Sequence, residues 1–192
     1  MGNGEPSAFH IFLKGSMMSA RKKLLAVAAA VAMWAVIQPG TVSAQTSGVG
    51  PDGYTRFLWK ATDYSISLWQ LDPSLNFYNN HVYGPYDGWD PIALTTAHNN
   101  NSYVLWRYYD GTITVWSVDT LLNYITQKNY GPYTGWTAKG LSVDTGTGSG
   151  FRIIWRHTGG SVSVWQLDQN LNFVANHIYG PYFGYDPGYT YP

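Results

Sequence analysis

The sequence predicts an all-β fold made of three repeats of four short strands, and three observations predict it. The first is a period. Trp59, Trp106 and Trp155 are separated by 47 and then 49 residues, and the same intervals separate Trp69, Trp116 and Trp165 and the Tyr-Gly-Pro-Tyr strings that start at Tyr83, Tyr130 and Tyr179. A fixed spacing of this size marks a repeat architecture. A two-residue insertion in "VDTGTGSG" (143–150) explains the longer second interval. The second observation is composition: beyond residue 44 the chain has eight Trp, sixteen Tyr and five Phe, so 29 of 148 residues are aromatic. Aromatic and β-branched residues suit a pleated, half-buried surface, and strong helix formers are scarce. The third is punctuation by Gly, Pro and Asp between short apolar runs, which sets strand length at about six residues.

The first 44 residues differ in kind. Arg21, Lys22 and Lys23 precede the 14-residue apolar run "LLAVAAAVAMWAVI" (24–37), followed by "TVSA" with Val42 and Ala44 at small-residue positions. That order is the order of a secretory signal peptide, with Met17 or Met18 as the natural start of a short basic leader. A membrane span needs about 20 apolar residues, so a membrane partner is expected only if the leader stays uncleaved as an anchor. The remaining chain, 45–192, reads as a single domain with units at about 54–91, 92–138 and 139–192, secreted to the extracellular space or periplasm.

Each unit divides into four strands. In the second, "IALTTAH" (92–98), "YVLWRYY" (103–109), "TITVWSV" (112–118) and "LLNYITQKNY" (121–130) follow one another. Asp110-Gly111 reads as a two-residue hairpin turn, with Gly159-Gly160 and Asp63-Tyr64 at the same place in the other units. Alternation sets the faces. Phe57/Trp59, Val104/Trp106 and Ile153/Trp155 share one face, and Leu58, Leu105 and Ile154 point the other way. Apolar residues on both faces predict sheets sandwiched between neighbours. Lys60, Arg107 and Arg156 follow the first Trp of every unit and are expected to snorkel or stack at its edge. The tail "PGYTYP" (187–192) occupies the register of "PIALTT" (91–96), so it is expected to supply the first strand of the first unit as a clasp.

The strings "RFLW", "SLWQLD", "LNF" and "YGPYDGW", with their two further copies, resemble a family of secreted bacterial tandem repeats whose units run Arg-x-Leu-Trp, Asp-Gly, Ser-Leu-Trp, Tyr-Gly-Pro-Tyr-x-Gly-Trp. The resemblance covers about 54–189. The order of Gly-Trp, strand, Gly turn and strand is also similar to tachylectin-type β-propeller lectins. That likeness implies four-stranded blades and a lectin-like role; the chain has three such units, where a ring of that type needs more unless chains associate. A homo-oligomer is therefore among the expected partners. Three units closing as a monomer would instead make a β-trefoil, and the sequence leaves both arrangements open.

Charge and residue type exclude several functions. Seven Lys+Arg against ten Asp remain beyond residue 44, a net charge of about −3 with no basic cluster, so nucleic acid is not an expected partner. There is no Cys, and the only Glu, Glu5, lies in the leader. His81, His98, His157 and His177 show neither repetition in all units nor ligand spacing, and no metal or cofactor is expected. Asp144, in the Gly/Ser/Thr loop, reads as a solvated loop residue. Asp72, Asp119 and Asp168, each four residues before Asn76, Asn123 and Asn172, read as turn chemistry.

The Tyr-Gly-Pro-Tyr-x-Gly-Trp loops carry the candidate ligand-binding residues: Tyr86, Trp89, Tyr133, Trp136, Tyr182 and Tyr185. Flat aromatic faces in a polar loop suit the C–H face of a sugar ring, and adjacent Asp and Asn suit its hydroxyls. Repetition would give weak sites and avidity. The alternative use of the same rings is packing between neighbouring units. The expectation is a non-catalytic, lectin-like module whose partner is a glycan or polysaccharide, with a structural or adhesive self-assembling repeat as the alternative and no enzymatic activity.

Overall fold

The computed structural model describes residues 43–144 and 150–187, with 43–47 described by backbone alone. Three antiparallel four-stranded sheets follow one another along the chain. The first holds β1 (Ser43–Val49), β2 (Thr55–Lys60), β3 (Ile66–Leu71) and β4 (Phe77–Tyr83). The second holds β5 (Trp89–Thr96), β6 (Ser102–Tyr108), β7 (Ile113–Val118) and β8 (Tyr124–Tyr130). The third holds β9 (Trp136–Val143), β10 (Gly150–His157), β11 (Val162–Asp168) and β12 (Phe173–Tyr179). Each is a simple meander, β1 lies beside β5, and β5 lies beside β9. No described strand pairs outside its own sheet, whereas a β-trefoil joins strands of all three units in one barrel. The fold is all-β and propeller-like, with each sheet a blade.

Two expectations need correction. The first strand of the first blade is β1, which pairs antiparallel with β2 from Ser43↔Lys60 to Val49↔Thr55. The place assigned to the tail is thus taken by residues N-terminal to the first repeat, and 188–192 lie outside the described residues. Residues 1–42 of the expected leader also lie outside them; cleavage after Ala44 would leave Gln45–Val49 of β1 in place. The second correction concerns the turns. Tyr108 N donates to Thr112 O at 2.7 Å and Gly111 N to Tyr108 O at 3.1 Å. Gly111 has φ +91° while Asp110 is not left-handed, which makes a three-residue loop with one left-handed residue, not the two-residue turn. Tyr64 (φ 65°) and Gly160 (φ 91°) close the equivalent loops.

The turn between the third and fourth strands uses the same pattern with a less usual residue. Asp119 N donates to Asn123 O at 2.8 Å and Leu122 N to Asp119 O at 3.0 Å, leaving Leu122 at φ 67°. Leu75 and Leu171, both at φ 63°, repeat it in the flanking blades. A left-handed conformation costs a non-glycine residue roughly 1–2 kcal/mol, so leucine here needs a compensating contact. Asp119 Oδ1 accepts from the N–H groups of Leu121 (2.9 Å) and Asn123 (2.7 Å), and Asp72 and Asp168 do the same in their turns. The recurring Asp/Asn pairs are therefore turn elements.

Packing follows the predicted alternation. Leu58, Ile66, Leu68 and Tyr83 of the first blade meet Val104, Trp106, Val118 and Leu122 of the second. Leu105, Ile113, Val115 and Tyr130 of the second blade meet Ile153, Trp155, Leu167 and Leu171 of the third. Both faces of β6 are buried from Ser102 to Trp106, as a sandwiched sheet requires. Leu122 is 1% exposed and Leu171 4%; each left-handed leucine is driven into the joint with the preceding blade, which supplies the compensating burial. The fourth strands are solvent-facing edges, and polar residues such as Gln127, Lys128 and Asn129 discourage further strand pairing there.

Candidate functional site

The three Tyr-Gly-Pro-Tyr loops begin alike. Tyr83, Tyr130 and Tyr179 end the fourth strands, and the Gly84-Pro85, Gly131-Pro132 and Gly180-Pro181 bonds are all cis. The first and third loops fold back on the hairpin loop of their own blade: Tyr86 N donates to Tyr64 O at 3.2 Å, and Tyr182 N to Gly160 O at 2.8 Å. Tyr83 Oη donates to Leu122 O at 2.5 Å, and Tyr130 Oη donates to Leu171 O. Each phenol thus caps a carbonyl of the next blade's leucine turn. Burial, followed by the charge of Asp119, pushes the Tyr83 phenol up to about 12; burial, followed by Asp168, raises Tyr130 as well.

The candidate aromatic residues then divide. The Tyr86 ring stands edge-on against Trp106 (5.8 Å between centroids) and Trp116 (5.3 Å). The Tyr133 ring meets Trp155 (5.5 Å) and Trp165 (5.1 Å) in the same way. Trp89 packs at 5.0 Å on Tyr108, and Trp136 at 4.8 Å on His157. Gly88 lies under this contact at φ +79°, where a Cβ would come within 2.6 Å of the Tyr108 ring. Tyr86, Trp89 and Trp136 are half-buried and Tyr133 is 38% exposed, and all four join one blade to the next. Tyr182 and Tyr185, from the third loop, are 50% and 77% exposed. No blade follows them among the described residues.

A recess of about 130 Å³ opens on the third blade, lined by Tyr133, Trp136, Trp155, Ser163, Trp165, Asn176 and Ile178. Strand pairing makes it: Ser163 lies opposite Ile178, and Trp165 opposite Asn176, across β11 and β12. Trp155 and Trp165 tilt at 46° with centroids 4.9 Å apart and form its apolar floor. Asn176 Nδ2 reaches Ser163 Oγ at 3.4 Å. The Trp155 indole N–H is buried and makes no hydrogen bond. Sequence reasoning assigned Trp155 and Trp165 to the core and missed Ser163 and Asn176. Only part of the signal was available: Ser163 shares a strand face with Trp165, but the three-residue turn alone would place Ala175 opposite Trp165, and a bulge between Gln166 and Leu167 shifts that place to Asn176.

Charge sits beside the loops, not in the recess. Asp90, just after the first loop, binds Lys60 of the first blade and, at 3.2 Å, Arg107 of the second. Arg156 donates to the Tyr182 carbonyl at 2.9 Å. The conserved place of these cations within the repeat therefore serves loop anchoring instead of ring stacking, except at Lys60, which also lies 5.8 Å from the Tyr64 ring. Arg56, 1% exposed, forms a two-pronged pair with Asp52 at 2.6 and 3.0 Å. The Asn76 backbone N–H, then its amide, holds the Asp72 carboxyl below its ordinary value; the Asn172 amide, then its N–H, does so for Asp168. Among the described residues no three His, Asp or Glu come together as a metal site. Asp144 pairs with Arg152 at 2.8 Å, and 145–149 of its loop lie outside the described residues.

No protein-family model matches the chain, and no curated protein sequence does. Among solved structures it is similar to a protein of unknown function from Bacteroides caccae, at 10% identity with a TM-score of 0.47. The match covers 73% of this chain and 47% of that one, so the chain spans about half the length of the structure it matches.

Proposed function

We propose that the protein is a secreted, non-catalytic carbohydrate-binding module of lectin-like type, binding a glycan or polysaccharide at its blade-to-blade loops. The observation that carries this reading is the recess on the third blade. It combines an indole floor (Trp155, Trp165), a phenol and an indole at the rim (Tyr133, Trp136), and a hydroxyl and an amide (Ser163, Asn176) at the outer strands. A pyranose has the same division, with an apolar C–H face and a polar edge.

Tyr133→Ala is a poor test, because the ring also joins the second and third blades. Asn176→Ala and Ser163→Ala remove polar groups while leaving the joint intact. The experiment is a glycan-array and insoluble-polysaccharide screen, followed by titration of the strongest ligand. Saturable binding blocked by free sugar, and weakened about tenfold or more by Asn176→Ala, supports the proposal. Folded protein that binds no glycan, or binding indifferent to both substitutions, refutes it.

A further inference from the structure

The two described joints use one design, and its halves recur on the first and third blades without a partner among the described residues. In each joint the leading blade offers a face of aliphatic residues and a tyrosine whose hydroxyl reaches the next blade. The following blade offers two tryptophans and a left-handed leucine. For the first joint these are Leu58, Ile66, Leu68 and Tyr83 against Trp106, Trp116 and Leu122. Counted by the repeat, the far face of the third blade carries Ile154, Val162, Val164 and Tyr179 in the aliphatic positions. The outer face of the first blade carries Trp59, Trp69 and Leu75 in the receiving ones.

Exposure separates joined from unjoined positions. Tyr83 and Tyr130 are each 9% exposed, and Tyr179 is 45% exposed. Leu122 and Leu171 are 1% and 4% exposed, and Leu75 is 69% exposed. Ile66 and Ile113 are buried, while Val162 and Val164 are only half-buried. Leu75 nevertheless holds the same left-handed backbone as its two counterparts. It bears the cost of that conformation with no neighbour among the described residues to compensate it. The third loop is also already in position, since Tyr182 N and O are bound by Gly160 and Arg156 of its own blade.

We propose that the far face of the third blade docks on the outer face of the first blade of a second copy, and that two chains close head-to-tail into a six-bladed ring. A contact between different faces forms rings where the rotation closes. Propeller rings hold about four to eight blades, which admits two copies of a three-bladed chain and excludes one or three. In that joint the Tyr179 hydroxyl meets the main-chain carbonyl of Leu75, and the third loop lies over Trp59 and Trp69. Asp186, the counterpart of Asp90, lies on the same side and is held at 2.8 Å by Lys139. The new joint differs at one place: Ala61 stands where Tyr108 and His157 receive Trp89 and Trp136, and Tyr185 is the smaller ring opposite it.

The test is the mass of the full chain by light scattering from micromolar to sub-millimolar concentration, with circular dichroism to show folding. The proposal expects twice the chain mass. Leu75→Asp and Tyr179→Asp, at opposite ends and both on exposed side chains, each return it to the single mass with the fold unchanged. Ile125→Asp, 48% exposed on β8 of the middle blade, keeps the doubled mass. A single mass for the unaltered chain across the range overturns the proposal. So does a doubled mass that survives both end substitutions, or a tripled or open-ended species. None of these outcomes depends on whether a glycan binds.

Discussion

Replacing Leu122 by Gly tests whether the left-handed leucine turns join the blades. Leu122 is 1% exposed at φ 67°, and its side chain packs in the cluster between the first and second blades. Removing a fully buried leucine side chain forfeits about 1.5–3 kcal/mol of transfer free energy, and the cavity raises typical losses to about 3–5 kcal/mol. Glycine recovers about 1–2 kcal/mol by relieving the left-handed backbone, and loses up to about 1 kcal/mol through greater freedom in the unfolded chain. The net expectation for Leu122→Gly is a destabilisation of about 1–5 kcal/mol. Leu75→Gly shares both backbone effects, but Leu75 is 69% exposed and has little burial to lose. Its net effect in a single copy is about zero, within about 1 kcal/mol. The difference between the two variants isolates burial at about 3–5 kcal/mol. Urea unfolding at concentrations where the chain is a single copy reads it as a shift in midpoint at constant slope. Equal stability of the two variants would refute the reasoning that these leucines are plugs.

Two further predictions concern ionisable groups. The Tyr83 phenol is raised above its ordinary value to about 12, so the neutral form is the one the fold favours. Its contribution is fully present below pH of about 10, the ordinary tyrosine value, and is lost as pH rises through about 12. Phenolate difference spectra should therefore show Tyr83 and Tyr130 titrating last, together with loss of the fold, and Tyr83→Phe should lower stability below pH of about 10 and flatten its fall between about 10 and about 12. Asp90→Asn should cost less than about 1 kcal/mol at low salt and nothing measurable at about 1 M salt, because its two partners are partly solvated. Unfolding midpoints at the two ionic strengths check this, and a large salt-independent loss would contradict it.

Much of the fold was legible because a repeat states each element three times. The 47- and 49-residue intervals located the sheets, and alternation around Val104, Leu105 and Trp106 correctly predicted a middle sheet buried on both faces. The first strand was not legible: Ser43–Val49 is a polar, small-residue stretch that lacks the aromatic landmarks of the repeat and lies where a leader is expected to end. The left-handed leucines were also hidden, because propensity assigns such positions to Gly or Asn. Burial in a neighbouring blade accounts for Leu122 and Leu171, while Leu75 holds the same backbone at 69% exposure. Asp110-Gly111 misled because a dipeptide does not reveal loop length. The distinguishing bonds run from Tyr108 to Gly111 and Thr112, beyond the pair itself. The recess escaped notice because Ser163 and Asn176 gain significance only when two strands place them on one face with Trp165.

The contrast between Tyr133 and Tyr182 shows why the repeated loop resists assignment to framework or working surface. Both rings arise from the same four-residue string with a cis proline, at the end of equivalent strands. Tyr133, 38% exposed, stands against Trp155 and Trp165 of the blade that follows it, whereas Tyr182, 50% exposed, meets no following blade among the described residues. Exposure is thus a property of place in the array and not of the residue. The recess on the third blade also needs more than the loop. At the matching positions of the second blade, Thr114, Gln127 and Asn129 replace Ser163, Asn176 and Ile178, and Gln127 binds Asn129 at 3.4 Å. Ser67, Asn80 and Val82 of the first blade are closer in size and polarity to the third-blade set. If the ring closes, Tyr182 of one copy comes to lie over Trp59 and Trp69 of the other and completes that face. Association would then create a binding face that neither chain holds alone, and the number of glycans bound per chain should rise from one to two as the chain goes from single to paired. Calorimetric titration of the unaltered chain against Leu75→Asp measures this directly, and the same stoichiometry in both would show that association and binding are independent.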